Sequence, residues 1–157
     1  MGFCENEKNT KRSIKNKVME IIRDTVGDRV SDIKVFGVDG PANRSPWVSV
    51  GFNNAERVYG NNGKNSLFRT EVDVAVYFKD SKDYSRAKDL AEDLKAEIGD
   101  ALLSNRRLGL PYVRNIDVLI SWEFSENEST NSNAYSGGYT FEINYEVYEF
   151  QKKGGNS

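Results

Sequence analysis

The 157-residue sequence contains no histidine and only one cysteine, and these two shortages remove most kinds of active site. Histidine is the most common general base near neutral pH and a frequent metal ligand, so its absence excludes Ser-His-Asp triads, Cys-His dyads and histidine-bound zinc or iron. With Cys4 alone, the chain can form neither an internal disulfide nor a cysteine zinc site. We therefore expect a protein that is not an enzyme and that carries no cofactor.

The sequence also lacks long apolar runs and a large excess of charge of one sign. No apolar stretch approaches the length of about 20 residues that a membrane-spanning helix needs. The first residues, MGFCENEKNTKRSIKNK, are positively charged but lead into no apolar segment, so they do not form a secretory signal, and we expect a cytosolic chain with no membrane partner. The net charge of −2 is scattered along the sequence. A concentrated basic surface for phosphate backbones is not expected, and neither is sequence-specific nucleic-acid binding.

The length and composition fit one folded domain. Charged residues make up 29% of the sequence and hydrophobic residues 38%, which is typical of a globular protein. A chain of this length can bury a core without a disulfide or a structural metal. We predict a single α+β domain over residues 13–150, between a flexible N-terminus (1–12) and a flexible C-terminus (151–157).

Two segments repeat apolar residues every three or four positions, which is the spacing of an amphipathic helix. The first helix is predicted to begin at Thr10 or Ser13, where a hydroxyl can cap it, and to end before Gly27. The second is predicted after the acidic residues around Asp83. The apolar positions are Ile14, Val18, Ile21, Ile22 and Val26 in the first segment and Ala87, Leu90, Ala91, Leu94, Ile98 and Leu102 in the second.

Alternating apolar and polar residues predict strands, most strictly from Phe68 to Lys79. The other predicted strands lie near 33–35 and at 47–52, 113–124 and 139–147. The Asn- and Gly-rich segment 53–66 and the polar segment 125–138 are predicted to be long projecting connections. We therefore expect an α+β fold with a single twisted, mixed, mainly antiparallel β-sheet, two helices packed on one face and a polar opposite face.

Three carboxylates are the strongest candidates for chemistry. Glu71 and Asp73 share one face of a strand, and Asp117 lies near them if the two long strands pair. Such a group could hold Mg²⁺. It could equally be the solvated face of a sheet, paired with Arg69 and Lys79, or it could form salt bridges between subunits. We favour a solvated face over a metal-dependent enzyme.

Two further patterns are weaker. The segment from Gly60 to Ser66 is rich in glycine and contains a lysine, but its spacing and its place between two strands do not fit a phosphate-binding loop. Five aromatic residues on predicted strands could stack nucleic-acid bases, but their polar neighbours include glutamates rather than arginine or lysine. Core and sheet packing is the favoured interpretation of Trp47, Phe52, Tyr139, Phe141 and Tyr145.

The order of elements resembles the lambda-type tail terminators of long-tailed bacteriophages. The similar features are an N-terminal helix, the strand Pro46-Trp47-Val48-Ser49-Val50, a projecting loop, the strand from Phe68 to Lys79 with its following helix, and the aromatic strand beginning at Tyr139. The resemblance covers residues 13–150. It implies a virion protein that forms a ring, expected to be a hexamer, which caps the tail tube. Head–tail joining proteins and other minor tail proteins are similar at this level and remain the alternative, ahead of a generic ligand or single-strand binding module.

This resemblance implies three partners: further copies of the chain, the tail tube protein and a head connector or neck protein. The implied location is the head-proximal end of the tail, after assembly in the host cytoplasm. Exposure and chemistry point to Arg57, Tyr59 and Lys64 for contacts with the tube or a neighbouring subunit. By the same reasoning, we predict charge pairing between subunits through Arg69, Glu71 and Asp73. No catalytic, cofactor or metal residue is predicted.

Overall fold

The structure, a computed structural model, describes residues 2–37, 39–40, 42, 44–60, 65–79, 83–126 and 134–148. Its elements are α1 (Phe3–Val26), β1 (Ile33–Val35), β2 (Trp47–Gly60), β3 (Asn65–Lys79), α2 (Tyr84–Leu103), β4 (Val113–Glu126) and β5 (Ala134–Tyr148). The strands form one five-stranded sheet in the order β1-β2-β3-β5-β4. Only the β1–β2 pair is parallel. The predicted α+β fold with one mixed, mainly antiparallel sheet is confirmed.

Both helices pack on the same face of the sheet, which we call the inner face. The apolar residues that recur every three or four positions form the buried side of each helix. They pack against the apolar side chains of the strands. Fully buried residues include Val18, Ile22, Leu94, Leu102, Phe141 and Ile143. Within the described part of the chain, no helix combines the length and the apolar character that crossing a membrane would require.

Helix α1 begins earlier than predicted. It starts at Phe3 rather than at Thr10 or Ser13, so residues 3–12, predicted to be a flexible terminus, are helical. The Phe3 ring packs against Phe68 with 5.9 Å between the ring centroids, which ties the first turn to the sheet. An ion pair between Lys8 and Glu5, at 2.8 Å, adds support one turn along the helix. The predicted flexible C-terminus, 151–157, lies outside the described residues.

Segment 53–66 is mostly strand and half of segment 125–138 is strand, so the predicted bounds of both long connections were wrong. Strand β2 continues to Gly60, and its pairing with β3 extends to Gly60 opposite Ser66, with irregularities after Phe52 and Arg57. The second connection is shortened in the same way, because β4 runs to Glu126 and β5 starts at Ala134. The polar composition of these segments suggested loops. Strand β3, however, pairs with β2 on one side and with β5 on the other, and this pairing continues through Asn and Gly residues. The remaining connections, 61–64 and 127–133, lie outside the described residues.

Candidate protein-interaction surface on the outer sheet face

The sheet face turned away from the helices, called the outer face, was predicted to be polar, and at its centre this prediction was wrong. Trp47 of β2 lies opposite Tyr77 of β3, and the two rings stack with centroids 4.2 Å apart. Irregular pairing in β4 after Val118 changes the phase of that strand. As a result Ile120 and Trp122, which the alternation assigned to the core, lie opposite outer-face residues of β5. The outer face therefore has an apolar centre.

The outer face contains a shallow cavity of about 200 Å³, which we call the aromatic basin. Its lining is formed by Phe36, Ser49, Gly51, Asn53, Asp73, Ala75, Tyr77 and Trp122. Small residues form the floor, and three aromatic rings form the walls. Phe36 is 73% exposed, so one wall is accessible to a partner. Burial raises the pKa of Tyr77, and its phenol stays neutral at physiological pH.

Gly138 of β5 adjoins the basin, because it lies between the two lining residues Ala75 of β3 and Trp122 of β4. A Cβ atom at this position would come within 2.0 Å of the Val74 carbonyl oxygen. Only glycine lets the β3 backbone approach this closely. The missing side chain also leaves space between Ala75 and Trp122.

Asp73 brings a negative charge to the rim of the basin. The Thr140 hydroxyl donates to Oδ1 at 2.6 Å, and the Asn53 side-chain amide donates to Oδ2 at 3.1 Å. Both carboxylate oxygens are thereby fixed in position. No lysine or arginine within the described ranges forms an ion pair with Asp73. A carboxylate held beside aromatic rings suits a cationic group from a partner, through ion pairing and cation–π contact.

A row of carboxylates adjoins the basin. Glu71, Glu142 and Asp117 lie side by side on β3, β5 and β4. Arg106 pairs with Asp117, and the Arg69 Nε lies 3.8 Å from the Glu142 Oε2. Glu71 makes no hydrogen bond or ion pair with any residue that the structure describes. This part of the outer face carries acidic charge that the chain itself only partly neutralises.

Asp117 lies on the same face of the sheet as Glu71 and Asp73, but it is not on a strand adjacent to theirs. Strand β5 separates β3 from β4, so the two strands do not pair as the metal-site alternative required. Among the described residues, no group of three or more carboxylates, cysteines or histidines has a geometry that could hold a metal ion. The favoured interpretation, a solvated sheet face, fits these side chains better than a metal site.

The other predicted interaction residues have different positions. Arg57 is exposed on β2, and Tyr59 follows it in the same strand, so both belong to a paired strand rather than a loop. Lys64 lies outside the described residues. Arg69 forms an ion pair with Glu56 of its own chain as well as contacting Glu142. Pairing of Arg69 with another subunit would have to compete with these two contacts.

Further apolar side chains are exposed along β4, which is an edge strand of the sheet. Val118, Leu119 and Ile120 are 38%, 47% and 51% exposed. On either side of this run, cations from the helix side hold the strand: Arg106 donates to the Ile116 carbonyl at 2.9 Å, and Lys95 donates to the Trp122 carbonyl at 3.0 Å. Sequence alternation could not reveal this run, because it depends on the irregular pairing of β4.

A second cavity of about 180 Å³ lies between α1 and the β2–β3 pair. It is lined by Lys11, Ile14, Lys15, Phe52, Asn53, Asn54, Thr70 and Tyr145. The Tyr145 side chain is fully buried, and its hydroxyl has no hydrogen-bond partner among the described residues. Burial raises the pKa of this phenol. The cavity is small and lies on the inner side of the sheet, so it is not part of the outer interaction surface.

Comparison with known proteins finds similarity at the level of the fold. No protein-family model matches the sequence, and no curated protein matches it. Among solved structures, the fold is similar to that of a chain in the "Virion of native gene transfer agent (GTA) particle", with a TM-score of 0.58 and 15% sequence identity. The similarity covers 82% of this chain and 91% of that chain. The chain thus shares its fold, over most of both chains, with a component of that virion.

Proposed function

We propose that this protein is a structural component of a phage-type virion, which forms a ring on the end of the tail tube. The ring ends tube polymerisation and provides the surface to which the head attaches. The fold similarity to a virion chain, which spans most of both chains, is the observation that carries this proposal. The lack of histidine and the single cysteine agree with a role that requires no catalysis.

The outer face has the composition expected of a protein–protein contact. Aromatic residues form its centre, and charged residues surround them, which is how energetically important residues are arranged in protein interfaces. Trp47, Tyr77 and Trp122 supply rigid apolar area at little cost in conformational entropy. Such a surface is unusual for a protein that acts alone.

The β2–β3 hairpin supplies a second contact region. Strand β1 covers β2 only at Val48, Ser49 and Val50, whereas β2 continues to Gly60. The part of β2 beyond β1 carries Arg57 and Tyr59, and it leads towards Lys64. We propose that this arm contacts the tube protein or a neighbouring subunit, and that Arg69, Glu71 and Asp73 contribute to contacts between subunits.

A head–tail joining or other minor tail protein is the second candidate. The same fold similarity supports it, because similarity to a virion chain is compatible with either position in the particle. Both candidates share an assembly role and a location in the virion, and they differ in the neighbour. The third possibility, a single-strand or small-ligand binding module, is less well supported, because carboxylates rather than cations surround the aromatic basin.

Tube growth in vitro distinguishes these candidates. Tube protein from the same particle is polymerised with increasing amounts of this chain, and tube lengths are measured by electron microscopy. A terminator shortens the tubes at ratios well below one chain per tube subunit, and the added protein is found at one end. Unchanged tube lengths, with the protein bound instead to purified connector, would favour the head–tail joining role. Binding of labelled oligonucleotide that persists at moderate salt would favour the third possibility.

A further inference from the structure

We propose that the acidic outer face of one copy binds the basic side of helix α1 of the next copy, with the Arg12 guanidinium placed at the aromatic basin near Glu71 and Asp73. This inference rests on the proposed ring function and identifies the contact that would build the ring. The proposed partner of the outer face is a second copy of this chain. The argument combines charge, exposure and the positions of the two surfaces.

Helix α1 carries a concentrated positive charge. Residues 8–17 include five cations and no carboxylate. Lys8, Arg12 and Lys15 are spaced four and three residues apart, so they lie on one side of the helix, and all three are exposed. Lys8 pairs with Glu5, and the Lys15 Nζ lies 5.5 Å from the centre of the Phe52 ring. Arg12 makes no hydrogen bond or ion pair with any described residue, so its guanidinium can serve a partner.

The outer face offers the matching groups. Glu71 has no partner in the described part of the chain, and Asp73 is hydrogen-bonded only to neutral side chains. The two carboxylates lie on one face of β3, two residues apart; Asp73 lines the basin together with Tyr77 and Trp122, and Glu71 lies at the next outer-face position of β3, beyond the basin. An arginine can stack on an aromatic ring while it donates to a carboxylate, which a smaller or neutral group cannot do as well. The basin therefore provides both types of contact that favour arginine.

The two surfaces lie on opposite sides of the same fold. Helix α1 packs on the inner face of the sheet, and the basin opens on the outer face. A contact between different surfaces of identical chains is heterologous, and it builds a closed ring when the rotation between neighbouring copies divides a full turn evenly. One complementary pair of surfaces per chain is thus sufficient for the oligomer that the proposed function requires.

Charge reversal tests this contact with little risk to the fold, because both charges are exposed or half-exposed and have no ion-pair partner among the described residues. The variants are R12E, E71K and the double variant R12E/E71K. Glu92→Lys on α2 is the matched control, since Glu92 is an exposed carboxylate without an ion pair in the described structure. Assembly is measured by sedimentation velocity over a range of concentrations, and circular dichroism verifies the fold of each variant.

We expect each single reversal to weaken assembly by about tenfold or more, because like charges then meet across the contact. The double variant should assemble as the wild type does, since the pair is restored with exchanged signs. An equimolar mixture of R12E and E71K should also assemble, because the two chains can alternate around a ring with an even number of subunits. Glu92→Lys should have no effect.

The remaining outcomes each overturn the inference and separate it from the proposed function. If rings form from the wild type and equally from both single variants, the contact is wrong and the ring function stands. If the single variants fail and neither the double variant nor the mixture recovers, Arg12 and Glu71 do not face each other. A wild-type chain that neither self-associates nor binds a tube end overturns both the contact and the ring function.

Discussion

Replacing Gly138 by alanine is expected to disrupt the centre of the sheet, although alanine is a small residue that strands usually tolerate. The added Cβ would lie 2.0 Å from the Val74 carbonyl oxygen and 2.9 Å from the Ala75 Cα. Both atoms belong to the backbone of β3, so no side-chain rotation can relieve the overlap. The β3 and β5 backbones would have to separate at a point where both are paired on either side.

The size of the effect follows from what has to move. Overpacking of a core, where side chains can adjust, typically costs about 1 to 3 kcal/mol. A clash with backbone at the middle of a ladder also strains hydrogen bonds, each with a net contribution of about 1 kcal/mol. We therefore expect Gly138→Ala to lower the free energy of unfolding by about 3 kcal/mol or more, out of a total of about 5 to 15 kcal/mol.

Gly51→Ala is the matched control on the same face of the sheet. Its Cβ would meet the Phe36 Cβ at 3.4 Å, and Phe36 is exposed and can move away. Because alanine reduces the entropy of the unfolded chain, this change should alter stability by less than about 1 kcal/mol. Urea unfolding followed by circular dichroism measures both variants. A Gly138→Ala protein within 1 kcal/mol of the Gly51→Ala protein would refute the reasoning about backbone approach.

Three further results are expected. Tyr145→Phe should raise the free energy of unfolding in urea by about 1 kcal/mol, because it removes a buried hydroxyl without a described partner, and a loss would show that the hydroxyl is satisfied. The Arg29 guanidinium lowers the pKa of Glu97, so their contact stabilises the fold above the ordinary glutamate pKa and is lost as pH falls through the lowered value. Thermal unfolding between about pH 6 and pH 3 should therefore depend less on pH in Glu97→Gln than in the wild type, and equal dependence would contradict this. Phe36→Ser should weaken self-association in sedimentation without lowering the melting temperature, because this ring is 73% exposed at the basin, and unchanged association would remove it from the contact.

The strict patterns in the sequence predicted most of the fold. The stripe from Ile14 to Val26 and the alternation from Phe68 to Lys79 are physical consequences of burying one side of a helix and one face of a strand. These patterns fix the element types and the side of the sheet that the helices cover. The apolar patterns are regular in this sequence because the helices and the inner face of the sheet share one continuous hydrophobic core.

Element ends and strand order were harder to predict. Residues 53–60 look like a loop by composition, yet they form strand because β3 offers them a paired edge. The first ten residues look like a polar terminus, yet the contact of Phe3 with Phe68 extends the helix to them. Tertiary contacts outweigh local propensity in both places.

The sequence predicted only part of the candidate interaction surface. The charged residues Arg69, Glu71 and Asp73 were correctly placed on one face by the two-residue period. The aromatic basin was not predicted, because it requires the altered phase of β4 that brings Trp122 to the outer face and a floor of small residues from β2 and β3. A tyrosine and a tryptophan at polar positions of β3 and β2, Tyr77 and Trp47, were the available signal.

The measurement that most directly tests the account is negative-stain electron microscopy of the purified protein at high concentration, alone and mixed with tail tubes from the same particle. The account predicts annular particles with a central hole, six-fold in projection, and the same annuli seated on one end of each tube. Monomeric particles in the first sample, together with bare tube ends in the second, would contradict it.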